Sequence, residues 1–251
     1  MLVRPHPDGW RITLHPAHGL LAADLYTHLP RVVPPALALP TLLAVAQHDD
    51  HQIDFSSGDY LTERGAPKDF TLLRMNESQR SEQAEHLLAD AYRKHLWTGL
   101  VIGRHYEYLY DGEAVDARLK KLLRRIADKR KKVLKARGWP AELLETTYGR
   151  LRFCDRLSLI LCGEELPAVG RRLEVNEGLG EATFVNQHPE TDEINLTPWC
   201  FAEDRVKVSV ESYVLDKLTF SSGKALGEAL AGTLPELREW VFVKGNIPAA
   251  E

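Results

Sequence analysis

The stretch Leu151 to Gly163, LRFCDRLSLILCG, decides how the chain is read. Its apolar residues recur at helical spacing and Gly163 stops the helix, which starts after Pro140. Before Gly163 the pattern is mostly helical, and after it mostly extended. Inside the stretch, Arg152 and Arg156 take the polar face, as they should. Asp155 does not: on a wheel of about 100° per residue it falls among Leu151, Leu159 and Cys162. A carboxylate on an apolar face needs a partner, because burying an unpaired charge is costly.

Working back from this helix, the same test finds more misplaced polar groups. His18 lines up with Ala22, Leu25 and Leu29. His48 and Asp49 end an apolar helix expected to start at Pro40, with Asp49 beside Leu42, Val45 and Ala46. His105 sits between Val101 and Leu109, while Arg104 and Glu107 point the other way. One buried His is more often a hydrogen-bonded core residue than a ligand. Five such residues from four helices point instead to one shared site for a divalent ion, held by His18, His48, Asp49, His105 and Asp155. Mixed imidazole and carboxylate donors suit Mn, Fe, Co, Ni or Zn. His95 is a weaker candidate on the apolar side of its helix, and His86 reads as solvated. Asp50 and His51 are placed to move protons, and Arg104 to neutralise a substrate anion.

Outward from these helices, Leu2 to Leu14 reads as one or two short strands. Residues 54–70 read as a long ordered loop. Glu77 to Trp97, Gly99 to Tyr110 and the basic run from Glu113 to Arg137 read as helices. After Arg171 the signals are for strands, clearest in the alternation of Val206, Val208 and Val210. The expected fold class is α+β, a mainly helical core over residues 1–163 with a C-terminal antiparallel β appendage over 164–251.

Composition bounds the function. The chain has 251 residues, 44% hydrophobic and 27% charged, an ordinary globular balance. A net charge of −4 excludes a wholly basic nucleic-acid protein. The basic helix is read as a solvated face rather than a nucleic-acid contact. No apolar run has the roughly 18–20 residues of a membrane span. The three cysteines are odd in number and do not form a disulfide framework, which favours a reducing cytoplasm. No glycine-rich phosphate loop or nucleophile elbow is present. A homo-oligomer is left open.

The order His18, His48-Asp49, Asp155 resembles the HD superfamily, in which a His, an adjacent His-Asp pair and a late Asp bind a metal on an all-helical core. The segments MLVRP (1–5), AVAQHDDHQIDF (44–55), GAPKDF (65–70), GLVIGRHYEYL (99–109), CDRLSLILC (154–162) and NLTPWCF (195–201) are similar to a bacterial domain-of-unknown-function family with an HD-like core. Many relatives carry Gly-Trp where this chain has His51-Gln52. The resemblance implies an HD-like helical core and a metal-dependent HD-type phosphohydrolase, acting on a phosphate ester or nucleotide-like molecule. A di-iron oxygenase using the same ligands is the alternative, and a non-enzymatic metal-binding scaffold is the third reading.

Overall fold

The structure is a computed structural model, and it describes all residues except 51–54, 56–58, 74–76, 113–114, 116, 168–170, 189 and 246–251. The chain opens with a hairpin, β1 (Leu2–His6) and β2 (Gly9–Thr13). Six helices and a short 3₁₀ turn (Phe70–Leu72) follow: α1 (His15–Thr27), α2 (Pro35–Gln47), α3 (Glu77–Lys94), α4 (Leu96–Leu109), α5 (Ala117–Arg137) and α6 (Ala141–Cys162). Then come β3 (Leu173–Asn176), β4 (Thr183–Gln187), β5 (Ile194–Thr197), β6 (Arg205–Leu215), α7 (Gly223–Ala231) and β7 (Glu236–Val243). No helix among the described residues is long and apolar enough to cross a membrane.

The expected fold class, a mainly helical HD-like core with an antiparallel β appendage, is corrected here. The strands form one seven-stranded sheet in the order β1-β2-β6-β7-β5-β4-β3. The N-terminal hairpin is part of it, because β2 pairs antiparallel with β6 through Trp10–Leu215, Arg11–Val214 and Ile12–Tyr213. The sheet is mixed, since β5 and β7 run parallel at Ile194–Phe242. β6 is the strand the alternation predicts: Val206, Val208 and Val210 are buried, while Arg205, Lys207 and Glu211 face out. Its inner face joins α1 and α6 in one hydrophobic core that also takes in Leu21, Leu25, Leu157 and Phe242. Pairing between residues some 200 positions apart leaves no local signature, so the short N-terminal strands look isolated in sequence.

Two helix boundaries also differ from expectation. The second helix begins at Pro35, and Pro40 lies inside it. Pro40 cannot donate to the Ala36 carbonyl one turn back, but Ala36 is exposed and water can serve it. The third helix ends at Lys94 rather than Trp97, because His95 leaves helical geometry and its Nδ1 accepts the Trp97 N–H at 3.1 Å as an N-cap. Trp97 is then fully buried, and its indole N–H donates to Thr41 Oγ1 at 2.8 Å, tying α4 to α2.

Helices α1 and α2 cross closely at Gly19. A Cβ there would meet the Ala46 carbonyl oxygen at 2.4 Å, so only glycine fits. Gly19 follows His18, and Ala46 precedes His48 by two residues, so this contact sets the spacing of both histidines. Gly19→Ala is expected to cost about 1–3 kcal/mol by overpacking. A urea denaturation midpoint equal to that of the native chain would show that the helices do not touch there.

Candidate metal centre

Four helices bring the inward-facing polar groups together. His18 comes from the first turn of α1 and is wholly buried. His48 caps the C-terminus of α2 and is 1% exposed, and Asp155 projects from α6 with its side chain 18% exposed. One ligand atom from each of these three residues lies within 4.8 Å of the other two. His48 Nε2 is 3.2 Å from Asp155 Oδ1, and His18 Nε2 is 3.8 Å from the same oxygen. Ligands at about 2.0–2.2 Å from a shared ion stand roughly 3.0–3.5 Å apart. The three groups therefore need little movement to share one cation.

Hydrogen bonds fix which nitrogens face the centre. His48 Nδ1 donates to the Val45 carbonyl at 2.7 Å, which leaves Nε2 as the lone-pair nitrogen when the ring is neutral. Ser158 Oγ donates to the Asp155 carbonyl at 2.8 Å, so its proton is committed, and it accepts from His18 Nδ1, also at 2.8 Å. His18 Nε2 is thereby the lone-pair nitrogen, and it is buried with no hydrogen-bond partner among the described residues. Two imidazole nitrogens and a carboxylate converge on one point.

The electrostatics reflect this crowding. Burial, with the neighbouring His48 charge, lowers the His18 pKa to about 4. Burial, again with His48, lowers His105 to about 4. For His48 burial works downward, but Asp155 and Asp49 outweigh it and raise the value to about 9. Asp155 is held below the ordinary carboxylate range, because the His48 imidazole overcomes the burial that would raise it. Asp155 and Asp49 thus favour a positive charge at His48. A divalent metal is one way to satisfy the same three groups, so the donor set fits one.

The remaining sequence candidates fall around this cluster. Asp49 stands at its edge, with Oδ2 3.9 Å from His18 Nε2. His105 packs edge-on against His48, with ring centroids 5.0 Å apart, and its Nδ1 is 3.5 Å from the Tyr148 hydroxyl. It backs the His48 ring and lies outside the three-residue group. Asp50 follows the α2 terminus, its N–H donating to the Gln47 carbonyl at 3.2 Å. His51 lies outside the described residues. Arg104 is turned away: its Nε donates to both oxygens of Glu145 at 3.1 and 3.0 Å, and its guanidinium lies over the Tyr148 ring. His95 is the helix cap described above, stacked on Trp139, and His86 is exposed on α3.

Sequence reasoning missed two neighbours. Ser158 orients His18, but a small hydroxyl on an apolar helix face reads as an ordinary core residue. His15 is buried one turn before His18, with its ring edge-on to His18 at 6.1 Å and to Phe70 at 5.3 Å. The three-residue spacing of His15 and His18 on one helix was the available signal.

The match to a family model runs over residues 1–217, most of the chain and every residue of this cluster. The chain belongs to the family described as "Protein of unknown function (DUF3891)". No curated protein and no solved structure matches it. The DUF3891 region ends at Lys217, so α7 and β7 lie beyond it, although β7 occupies the middle of the sheet.

Losing the Ser158 hydroxyl would leave His18 free to turn. Ser158→Ala is expected to weaken metal binding by about 10–100-fold, the usual cost of removing a group that orients a ligand. Ser158→Thr, which keeps the hydroxyl, is expected to restore most of it. Competition with a chromogenic chelator measures both, and equal affinities in the native and alanine proteins would remove Ser158 from the account.

Proposed function

We propose that this protein is a metal-dependent hydrolase acting on a phosphate ester, with His18, His48 and Asp155 holding a single divalent ion. The observation that carries the reading is the convergence of two oriented imidazole lone pairs and one carboxylate. The order of the ligands along the chain, with Asp49 directly after His48, supports chemistry of the HD type. Three protein ligands leave positions open for water and substrate, as in catalytic rather than closed structural sites. A bound ion supplies a water acidic enough to ionise near neutral pH. Asp49, at the edge of the cluster and 27% exposed, would hold or move a proton between the centre and solvent. His105 keeps the back of the His48 ring dry and in place.

A second reading is favoured by the donor set itself. Two histidines and one carboxylate also make the open face on which non-haem iron enzymes handle oxygen. One experiment separates the two. Chelator-stripped protein is reloaded singly with Mn, Fe(II), Co, Ni or Zn and assayed on aryl phosphate esters and for oxygen uptake. The hydrolase reading expects metal-restored phosphate release with no oxygen consumption. Oxygen uptake confined to the iron form, without ester hydrolysis by any form, would favour the second reading and overturn the first.

A further inference from the structure

A cavity of about 400 Å³ lies between the first half of α6, Arg104 of α4, and the turn joining β3 to β4. Its wall is built. Gly149 of α6 and Gly178 of the turn meet backbone to backbone: a Cβ on Gly149 would meet the Gly178 oxygen at 2.3 Å, and one on Gly178 the Gly149 oxygen at 2.2 Å. Asn176 clamps the turn, its amide donating to the Arg152 carbonyl at 2.9 Å while its Oδ1 accepts the Gly178 N–H at 2.7 Å.

Three guanidinium groups line this cavity, and they differ in how they are satisfied. Arg104 is bound by Glu145, which Arg130 also shares at 3.4 Å. Arg150 donates to the Pro30 carbonyl, a neutral acceptor, and makes no ion pair among the described residues. Arg152 makes no ion pair among the described residues. Its guanidinium lies over the Tyr108 ring at 5.0 Å, and its buried Nε has no hydrogen-bond partner among the described residues. The only other carboxylate in the lining, Glu177, is exposed on the turn. A half-buried guanidinium with no ion pair among the described residues calls for an oxyanion. Two guanidinium groups in the lining that make no ion pair among the described residues favour a dianion over a single carboxylate, and the volume suits a small molecule.

We infer that this cavity binds the phosphate group of a small phosphorylated molecule, with Arg152 as its main contact and Arg150 as the second charge. The site is distinct from the metal centre. Tyr148 stands between them, its ring on the cavity wall and its hydroxyl 3.5 Å from His105 Nδ1. The inference does not depend on the hydrolase reading and is tested without metal.

Inorganic phosphate and phenyl phosphate are titrated calorimetrically into the full chain after chelator treatment. Saturable binding is expected, weakened about tenfold or more in Arg152→Gln, since a charge-assisted contact is lost. No saturation up to about 10 mM, or equal affinity in the variant, overturns the assignment. Should the variant fail to fold, arginine labelling of the native protein by phenylglyoxal decides the matter. Phosphate is expected to slow modification at Arg152 more than at the solvent-facing arginines of α5. Unchanged labelling of Arg152 across the same phosphate range overturns the assignment equally.

Discussion

Asp155→Ala is expected to reduce bound metal to less than about a tenth of the native content while leaving the helical fold in place. The effect is large because Asp155 Oδ1 is the atom both histidines face, at 3.2 and 3.8 Å. Removing it takes away the only carboxylate of the three-residue group and leaves two neutral imidazoles. Loss of a supporting group alone costs about 10–100-fold in affinity, and loss of a ligand costs at least as much. His48→Ala is expected to act similarly. Neither change exposes much core, since the surrounding Leu151, Leu157 and Val45 remain packed. Circular dichroism with metal analysis of the same samples checks both halves. Native metal content in Asp155→Ala would mean the ion sits elsewhere.

The second large effect concerns Asp69, which holds the loop before α3 against the N-terminal strand. Its Oδ2 accepts the Val3 N–H at 2.9 Å and an Arg4 N–H at 2.9 Å. Its Oδ1 accepts the Thr71 N–H and hydroxyl at 3.1 and 2.8 Å. Arg4 reaches on to the Gly163 carbonyl at 2.6 Å, so one carboxylate links β1, the loop and the end of α6. The next residue, Phe70, packs against His15, which adjoins His18. Removing a nearly buried carboxylate that accepts four bonds and pairs with an arginine costs about 3 kcal/mol or more. Asp69→Ala is therefore expected to lose about that much in urea unfolding at neutral pH.

The acid dependence of Asp69 follows from the same contacts. Burial alone would raise its pKa, but the hydrogen bonds from Val3 and Thr71 and the Arg4 charge outweigh it and lower the value from 3.8. A depressed pKa in the folded state means that stability is present in full above the unfolded value and is lost as pH falls through the folded one. The difference between native and Asp69→Ala proteins should hold from neutral pH down to about 5 and narrow below about 4. A gap unchanged at pH 3, or smaller than about 1 kcal/mol at pH 7, would contradict the role given to this residue.

These contacts also show where sequence reading succeeds. His18, His48 and Asp155 stand out because a helical wheel tests each side chain against its own helix, and helix geometry is local. His105 stands out for the same reason, yet the wheel gives a direction and no distance, so it could not show that His105 packs against His48 outside the three-residue group. His95 misled because the wheel assumes the helix continues through it, whereas the chain turns there and the imidazole caps α4. The sheet was hidden in a different way. β6 announces itself by alternation and a last strand is legible from Trp240, but the partner β2 lies about 200 residues from β6, and Arg238 and Glu239 obscure the start of β7, three strands from either edge. The role of Asp69 leaves no local signal, because its partners Val3 and Arg4 are 66 and 65 positions away.

The most direct measurement is X-ray absorption on protein loaded to saturation with zinc or cobalt, alongside the bound stoichiometry. One ion per chain is expected, in a shell of nitrogen and oxygen at about 2.0–2.2 Å that carries the scattering signature of two imidazoles. Sulfur in that shell, fewer than two imidazoles, or no tightly held ion would show that His18, His48 and Asp155 meet for some purpose other than binding a metal.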